Sequence, residues 1–125
     1  MTNTKSILVV EDEQAITKAL ETELIAAGYP VTTVFNGQEA IDRLRKENFD
    51  LVLLDILLPQ KDGWAVLEEI NKVAKNKRVK VLITSNLSQE EDIRKAKQLG
   101  AADFMVKSDV TLSHVIARAQ ELLKD

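Results

Sequence analysis

The sequence predicts an α/β fold in which helices cover both faces of a doubly wound, five-stranded parallel sheet. Short apolar runs without polar alternation are typical of strands buried on both faces. Stretches with apolar side chains at helical spacing lie between these runs. The two kinds of segment alternate five times along 125 residues. Strict alternation favours a parallel sheet with right-handed crossovers.

The predicted strands fall into two groups by polarity. Three are short runs of branched apolar residues: Ile7–Val10, Leu51–Leu54 and Val81–Ile83. Two have a more mixed composition: Val31–Phe35 and Ala102–Val106.

Each predicted helix shows an apolar stripe on one face. The first spans Gln14–Ala27, and Gly28 follows where a helix would end. The stripes of the other four, in chain order, are Ala40, Ile41 and Leu44; Val66, Leu67, Ile70, Val73 and Ala74; Ile93, Ala96 and Leu99; and Leu112, Val115, Ile116, Ala119, Leu122 and Leu123. The fourth helix has the thinnest stripe, so we expect it to be loosely packed.

Composition limits the classes of function. The chain is 45% hydrophobic and of the length of one domain, so we expect residues 1–125 to form a single domain. There is no cysteine for disulfides and only one histidine, which excludes a multi-histidine metal site within one chain. The net charge of −3 argues against direct nucleic acid binding. We find no signal peptide and no bilayer-length apolar run, and therefore expect a cytoplasmic protein without membrane contact.

Acidic residues end two of the apolar strands. Glu11 and Asp12 follow the first strand, and Asp55 follows the third. Ligands of open α/β sheets bind at the carboxyl ends of strands, so these carboxylates converge if the two strands are neighbours. Three close carboxylates favour a bound Mg²⁺. The alternative for Asp12 is that it only caps the first helix.

Polar groups also end two further strands. Thr84 and Ser85 follow the fourth, and Lys107 follows the fifth. A carboxylate can attack a phosphoryl group, whose charge a cation, an ammonium group and a hydroxyl would then stabilise. Asp55 is the best candidate nucleophile, because it stands alone at its strand end.

Three segments together resemble the receiver domains of two-component response regulators over nearly the whole chain. They are Ile7–Glu13, Asp55–Pro59 with Asp62-Gly63, and Leu99–Lys107. The resemblance implies a flavodoxin-like (βα)5 fold with strand order 2-1-3-4-5. It also implies that Asp55 accepts a phosphoryl group from a sensor histidine kinase or a phosphotransfer protein.

The resemblance implies further roles. Glu11, Asp12, Asp55 and the backbone carbonyl of Leu57 would bind Mg²⁺, Lys107 would pair with phosphoryl oxygens, and Ser85 and Phe104 would be the switch residues. For Phe104 the alternative is simple core packing. The chain departs from the family pattern at Asn86, which we expect to cover part of the site, and at Ser108, where a proline is usual. Leu57 and Leu87 are apolar where the family places the path of the hydrolytic water, which predicts a long-lived aspartyl phosphate.

The sequence therefore predicts a signalling switch whose fourth helix, fifth strand and fifth helix change their affinity for a downstream effector protein or a homodimer partner. We do not expect an enzyme beyond its own phosphorylation and dephosphorylation, because aspartyl phosphatases carry a second Asp where this chain has Leu57. The alternative is a degenerate receiver that binds proteins independently of phosphorylation.

Overall fold

The computed structural model describes residues 4–59 and 62–124, and these contain one five-stranded parallel sheet. The strands are β1 (Ile7–Val10), β2 (Val31–Val34), β3 (Leu51–Leu54), β4 (Lys80–Ser85) and β5 (Asp103–Val106). The helices are α1 (Gln14–Ala26), α2 (Gly37–Lys46), α3 (Gly63–Val73), α4 (Glu90–Gln98) and α5 (Leu112–Leu123). The spatial order is β2-β1-β3-β4-β5, which confirms the predicted doubly wound topology.

Most differences from the predicted elements lie at strand ends. β4 is longer than its apolar run, because Lys80 pairs with Leu51 and Ser85 pairs with Val106. β2 stops before Phe35, whose amide donates to the carboxylate of Glu39 in α2. The two hydroxyl residues predicted to follow the fourth strand, Thr84 and Ser85, are therefore its last two residues.

The observed start of α1 excludes one alternative interpretation of Asp12. The N-cap residue of α1 is Glu13, which makes no side-chain capping bond, so the interpretation of Asp12 as a helix cap is wrong. Side chains do cap α2 and α3: Asn36 accepts from the amide of Glu39, and Asp62 accepts from the amide of Ala65.

The core has two layers, one on each face of the sheet. Alternate residues of β1 show the division: Leu8 and Val10 pack toward α2, α3 and α4, whereas Ile7 and Val9 pack toward α1 and α5. All four are almost completely buried, as expected for a strand covered on both faces. Within the described ranges, no helix combines the length and apolar character that a bilayer crossing requires.

Candidate functional site

The sheet positions two buried acids at adjacent strand ends. The hydrogen-bonded ladder continues past the strands, because the Glu11 amide donates to the Val34 carbonyl at 3.2 Å and the Asp55 amide donates to the Val10 carbonyl at 3.1 Å. Glu11 is 1% exposed and Asp55 4% exposed. Their side chains therefore start from fixed backbone positions.

The predicted convergence of carboxylates is confirmed. One carboxylate oxygen from each of Glu11, Asp12 and Asp55 lies within 4.8 Å of the others, and Asp12 is exposed where the other two are buried. Oxygen donors this close, with one on the solvent side, fit a hard divalent cation. The donor set therefore fits Mg²⁺. The Leu57 carbonyl stays a predicted fourth ligand.

Lys107 joins the cluster from the fifth strand. Its ammonium nitrogen lies 2.7 Å from Asp55 Oδ2, 2.5 Å from Glu11 Oε1 and 3.9 Å from Glu13 Oε1. The lysine begins a single 3₁₀ turn, Lys107–Asp109, directly after β5. The structure thus places a cation against two of the three carboxylates that would bind the metal.

Burial and hydrogen bonding have opposite effects on the pKa values of Glu11 and Lys107. Burial raises the pKa of Glu11, and the hydrogen bonds from Lys107 and from the Glu13 amide only partly offset that rise. Burial lowers the pKa of Lys107, but its hydrogen bonds to Asp55 and Glu11 outweigh that effect and leave the pKa raised. Lys107 therefore stays charged and acts as the counter-ion of the cluster.

Both oxygens of each buried carboxylate already accept a hydrogen bond. The Leu57 amide donates to Asp55 Oδ1 at 3.0 Å, and the Glu13 amide donates to Glu11 Oε2 at 3.2 Å. Lys107 bonds the other oxygen of each. A metal ion must therefore compete with the ammonium group for Glu11 and Asp55.

The two predicted switch residues lie beside this cluster. Ser85 is fully buried and pairs with Val106, the residue before Lys107, while its Oγ accepts from the Leu87 amide at 3.4 Å. Phe104 is 9% exposed and packs in the core layer that faces α2, α3 and α4. The aromatic ring is thus already buried in this structure, and its role as a switch stays a prediction.

The hydroxyl assignment gains support from strand geometry. Thr84 lies on the same face of β4 as Leu82 and lines a groove between α1 and α5. Ser85 alternates with it and shares the face of Ile83 and Phe104. Of the two hydroxyls, Ser85 is therefore the one on the face of the predicted aromatic switch.

The departures from the family pattern have visible positions. The Lys107–Ser108 peptide is trans, as are the other described peptide bonds. Asn86 is exposed at the end of β4, and Leu57 is 53% exposed beside Asp55. Leu87 is half-buried and packs against the core, so Leu57 is the more accessible of the two predicted apolar residues.

Sequence reasoning missed two contacts of the site. Glu13 approaches Lys107, although it is 60% exposed, and its amide bonds Glu11. Gly63 lies against the loop after β3: a Cβ built on it would be 2.4 Å from Ile56 Cα and 2.5 Å from the Asp55 carbonyl oxygen. The Asp62-Gly63 pair was the available signal, but spacing alone does not show which backbone a glycine contacts.

The fold and the site together define a class of protein. A parallel sheet in the order 2-1-3-4-5, with an acidic cluster and a lysine at the carboxyl ends of its strands, is a receiver-type α/β domain. The family model of the response regulator receiver domain matches residues 7–119. The chain belongs to this family of two-component signalling domains.

Relatives and solved structures agree with this assignment. A probable transcriptional regulator ycf27 of Porphyra purpurea is 40% identical over 103 residues, which are 82% of this chain and 41% of that protein. The response regulator ArlR of Staphylococcus aureus is 32% identical over 118 residues, which are 94% of this chain and 52% of that protein. This chain thus spans about half the length, or less, of these curated relatives.

A solved structure shows the same fold at comparable identity. The phosphorylated cyanobacterial phytochrome response regulator RcpA is 32% identical, has a TM-score of 0.80, and is covered over 91% of its chain by 96% of this one.

Proposed function

We propose that Asp55 accepts a phosphoryl group from a histidine of a sensor kinase or phosphotransfer protein, and that this reaction switches the affinity of the domain for a downstream partner. The observation that carries the proposal is the environment of Asp55. Its buried carboxylate lies within hydrogen-bond distance of Lys107 and within 4.8 Å of two further carboxylates suited to Mg²⁺.

The chemistry follows from these groups. An Asp55 oxygen attacks the phosphorus of phosphohistidine, an O–P bond forms, and the P–N bond breaks with its electron pair passing to the imidazole nitrogen. Lys107 lies where it can neutralise charge on the transferring group, since it already bonds Asp55 Oδ2. Mg²⁺ bound by Glu11, Asp12, Asp55 and the Leu57 carbonyl would supply further neutralisation of the phosphoryl oxygens.

The switch would begin at the residues next to Lys107. Once phosphoryl oxygens compete for the Lys107 ammonium, its hydrogen bonds to Glu11 and Asp55 would be redistributed, and the hydroxyl of Ser85 could donate to the new anion. These differential contacts favour one conformation over another, which is the requirement for a population shift. The proposed output is a changed surface at α4, β5 and α5.

A groove beside the site suits the phosphodonor protein. A cavity of about 310 Å³ lies between α1 and α5, with apolar walls that include Ile16, Val110 and Val115 and with Lys107 among its lining residues. Leu112 is also partly exposed there. An apolar helix face of a kinase or phosphotransfer protein would fit this groove and place its histidine near Asp55.

A cytoplasmic location remains a prediction.

The test is intact mass after incubation with acetyl phosphate and Mg²⁺. We expect a gain of one phosphoryl group in the wild type and in Asp42→Asn, which alters an exposed acid on α2. No gain should occur in Asp55→Asn, or in the wild type with EDTA.

A folded wild-type protein that gains no mass would contradict direct phosphorylation by a small donor. The same result with a phosphorylated histidine domain as donor would overturn the proposal. It would leave the alternative of a degenerate receiver that binds partners independently of phosphorylation.

A further inference from the structure

We infer that the contact between Lys95 and Trp64 restrains α4 and thereby lowers the affinity of the site for a phosphoryl group. The inference deepens the proposed function and rests on it. The Lys95 ammonium lies 4.4 Å from the centroid of the Trp64 ring, which is within the range of a cation–π interaction. The contact joins α4 to the first turn of α3.

Few other side chains fix α4 in place. Ala96 is its one buried residue, and Ile93 is the half-buried apolar residue that packs with it against the core. By contrast, α3 buries Val66, Leu67 and Ile70. The Lys95 contact therefore adds a link from α4 to the better packed α3, where α4 itself has little apolar packing.

On the α3 side, the contact lies next to the loop after β3 that contains Asp55 and Ile56. The Gly63 amide donates to the Ile56 carbonyl at 2.9 Å, and the space beside Gly63 is filled by the backbone of Asp55 and Ile56. Trp64 is the next residue and packs against the same core layer as Phe104. Trp64 thus links a rigid support of Asp55 to a weakly packed helix.

The contact exists in the state in which Lys107 bonds Asp55 and Glu11. A movement of α4 relative to α3 would lengthen it. If phosphorylation requires that movement, the contact opposes it, and loss of the contact should favour the phosphorylated state. An exposed cation–π pair corresponds to about a two- to fivefold change in an equilibrium constant.

The experiment is a calorimetric titration of the folded protein with beryllofluoride, a phosphoryl mimic, at saturating Mg²⁺. Lys95→Gln should bind the mimic about two- to fivefold more tightly than the wild type. Lys97→Gln removes the same charge from the same helix and should match the wild type. Mg²⁺ affinity without the mimic should be unchanged in both variants, which a general structural defect would not produce.

A mutant cycle isolates the pair. In a Trp64→Leu background, Lys95→Gln should have no further effect on the affinity for beryllofluoride. An affinity of Lys95→Gln that equals that of Lys97→Gln, or is weaker than that of the wild type, would overturn the inference. If Trp64→Leu does not fold, the two single lysine variants still decide the question.

Failure of the inference and failure of the proposed function are distinguishable. If the wild type gains no phosphoryl mass and binds no beryllofluoride, the proposed function is wrong. If it does both, and the lysine variants do not differ, the restraint alone is wrong.

Discussion

The acidic edge of the sheet and helix α4 represent opposite uses of the same fold. At the acidic edge, Glu11 and Asp55 are buried and accept a hydrogen bond at each of their oxygens. α4 buries one residue, Ala96, and carries charged side chains over most of its surface.

Under the proposed function, the difference assigns the two properties of a switch to different regions. A reaction centre needs fixed groups, because misplaced charges lower the reaction rate. An output helix must move at low cost, and sparse burial permits that. One domain can therefore combine a rigid reaction centre with a weakly packed output helix.

The largest effect should come from removing the cation of the rigid region. Lys107→Met leaves Glu11 and Asp55 without their counter-ion, which should cost about 3 kcal/mol of unfolding free energy without Mg²⁺. Because the ammonium no longer competes, Mg²⁺ should bind more tightly than in the wild type and restore much of the loss. Urea unfolding with and without Mg²⁺ measures both.

Lys97→Met, on the exposed face of α4, is the matched control and should change neither quantity by much. Equal Mg²⁺ affinity in Lys107→Met and the wild type would show that the ammonium and the metal do not compete.

A smaller effect on stability should distinguish substitutions at two glycines, Gly63 beside Asp55 and Gly100 after α4. Gly63→Ala forces a Cβ against the backbone of Asp55 and Ile56 and should cost about 2 kcal/mol. Gly100, which follows α4, has a φ of +100° but its nearest neighbour for a Cβ, the Asn71 side chain, lies at 3.5 Å. Gly100→Ala should cost about 1 kcal/mol of backbone strain.

The functional readout makes this comparison sharper. The phosphorylation rate should fall in Gly63→Ala and stay near the wild-type value in Gly100→Ala. A similar rate in both variants would contradict the support of Asp55 by Gly63.

The burial of Glu11 predicts a pH dependence. Its pKa is raised in the folded protein, mainly by burial, so its contribution to stability is complete below the ordinary glutamate pKa of 4.5 and is lost as the pH rises through the folded value. Without Mg²⁺, Glu11→Gln should therefore gain stability relative to the wild type as the pH rises from 4 to 7. Urea unfolding across this range measures the difference.

Glu13→Gln, at a largely exposed neighbour, corrects for the loss of one negative charge. A stability difference between Glu11→Gln and the wild type that stays flat or falls with pH would contradict the burial cost assigned to Glu11.

The smallest effect should be kinetic. Leu57 is exposed beside Asp55, and a polar side chain there could orient a water molecule toward the phosphoryl group. Leu57→Asn should speed loss of the phosphoryl group several-fold. Intact mass measured over time follows this loss. Phe35→Asn alters another exposed apolar residue at the same end of the sheet and should not. Equal lifetimes would remove Leu57 as a determinant of stability of the aspartyl phosphate.

The sequence predicted the framework of this site for a definite reason. Strands buried on both faces must be apolar, so the first acid after each run marks the strand end; Glu11 and Asp55 were therefore located correctly. The family resemblance implied Ser85 rather than Thr84 as the switch hydroxyl, and the strand places Ser85 on the face of Phe104.

The convergence of the strand-end carboxylates was predictable, but particular hydrogen bonds and ring contacts between distant segments were not. The Lys107 bond to Glu11 joins residues 96 positions apart, and the Lys95 contact with Trp64 depends on how two helices pack. The cap of α5 was missed because its Thr111 amide donates to His114 Nδ1, whereas the usual capping box has Glu or Gln at that position. Such contacts depend on tertiary packing rather than on local pattern.

The central claim is that phosphoryl chemistry at a rigid acidic edge moves a weakly packed α4. Amide hydrogen exchange of the wild type, with Mg²⁺ alone and with Mg²⁺ plus beryllofluoride, tests it directly. The account predicts slow exchange in β1 and β3 under both conditions and a change in exchange over Glu90–Gln98 on adding the mimic, absent in Asp55→Asn. Identical exchange over Glu90–Gln98, with the mimic shown to be bound, would contradict it.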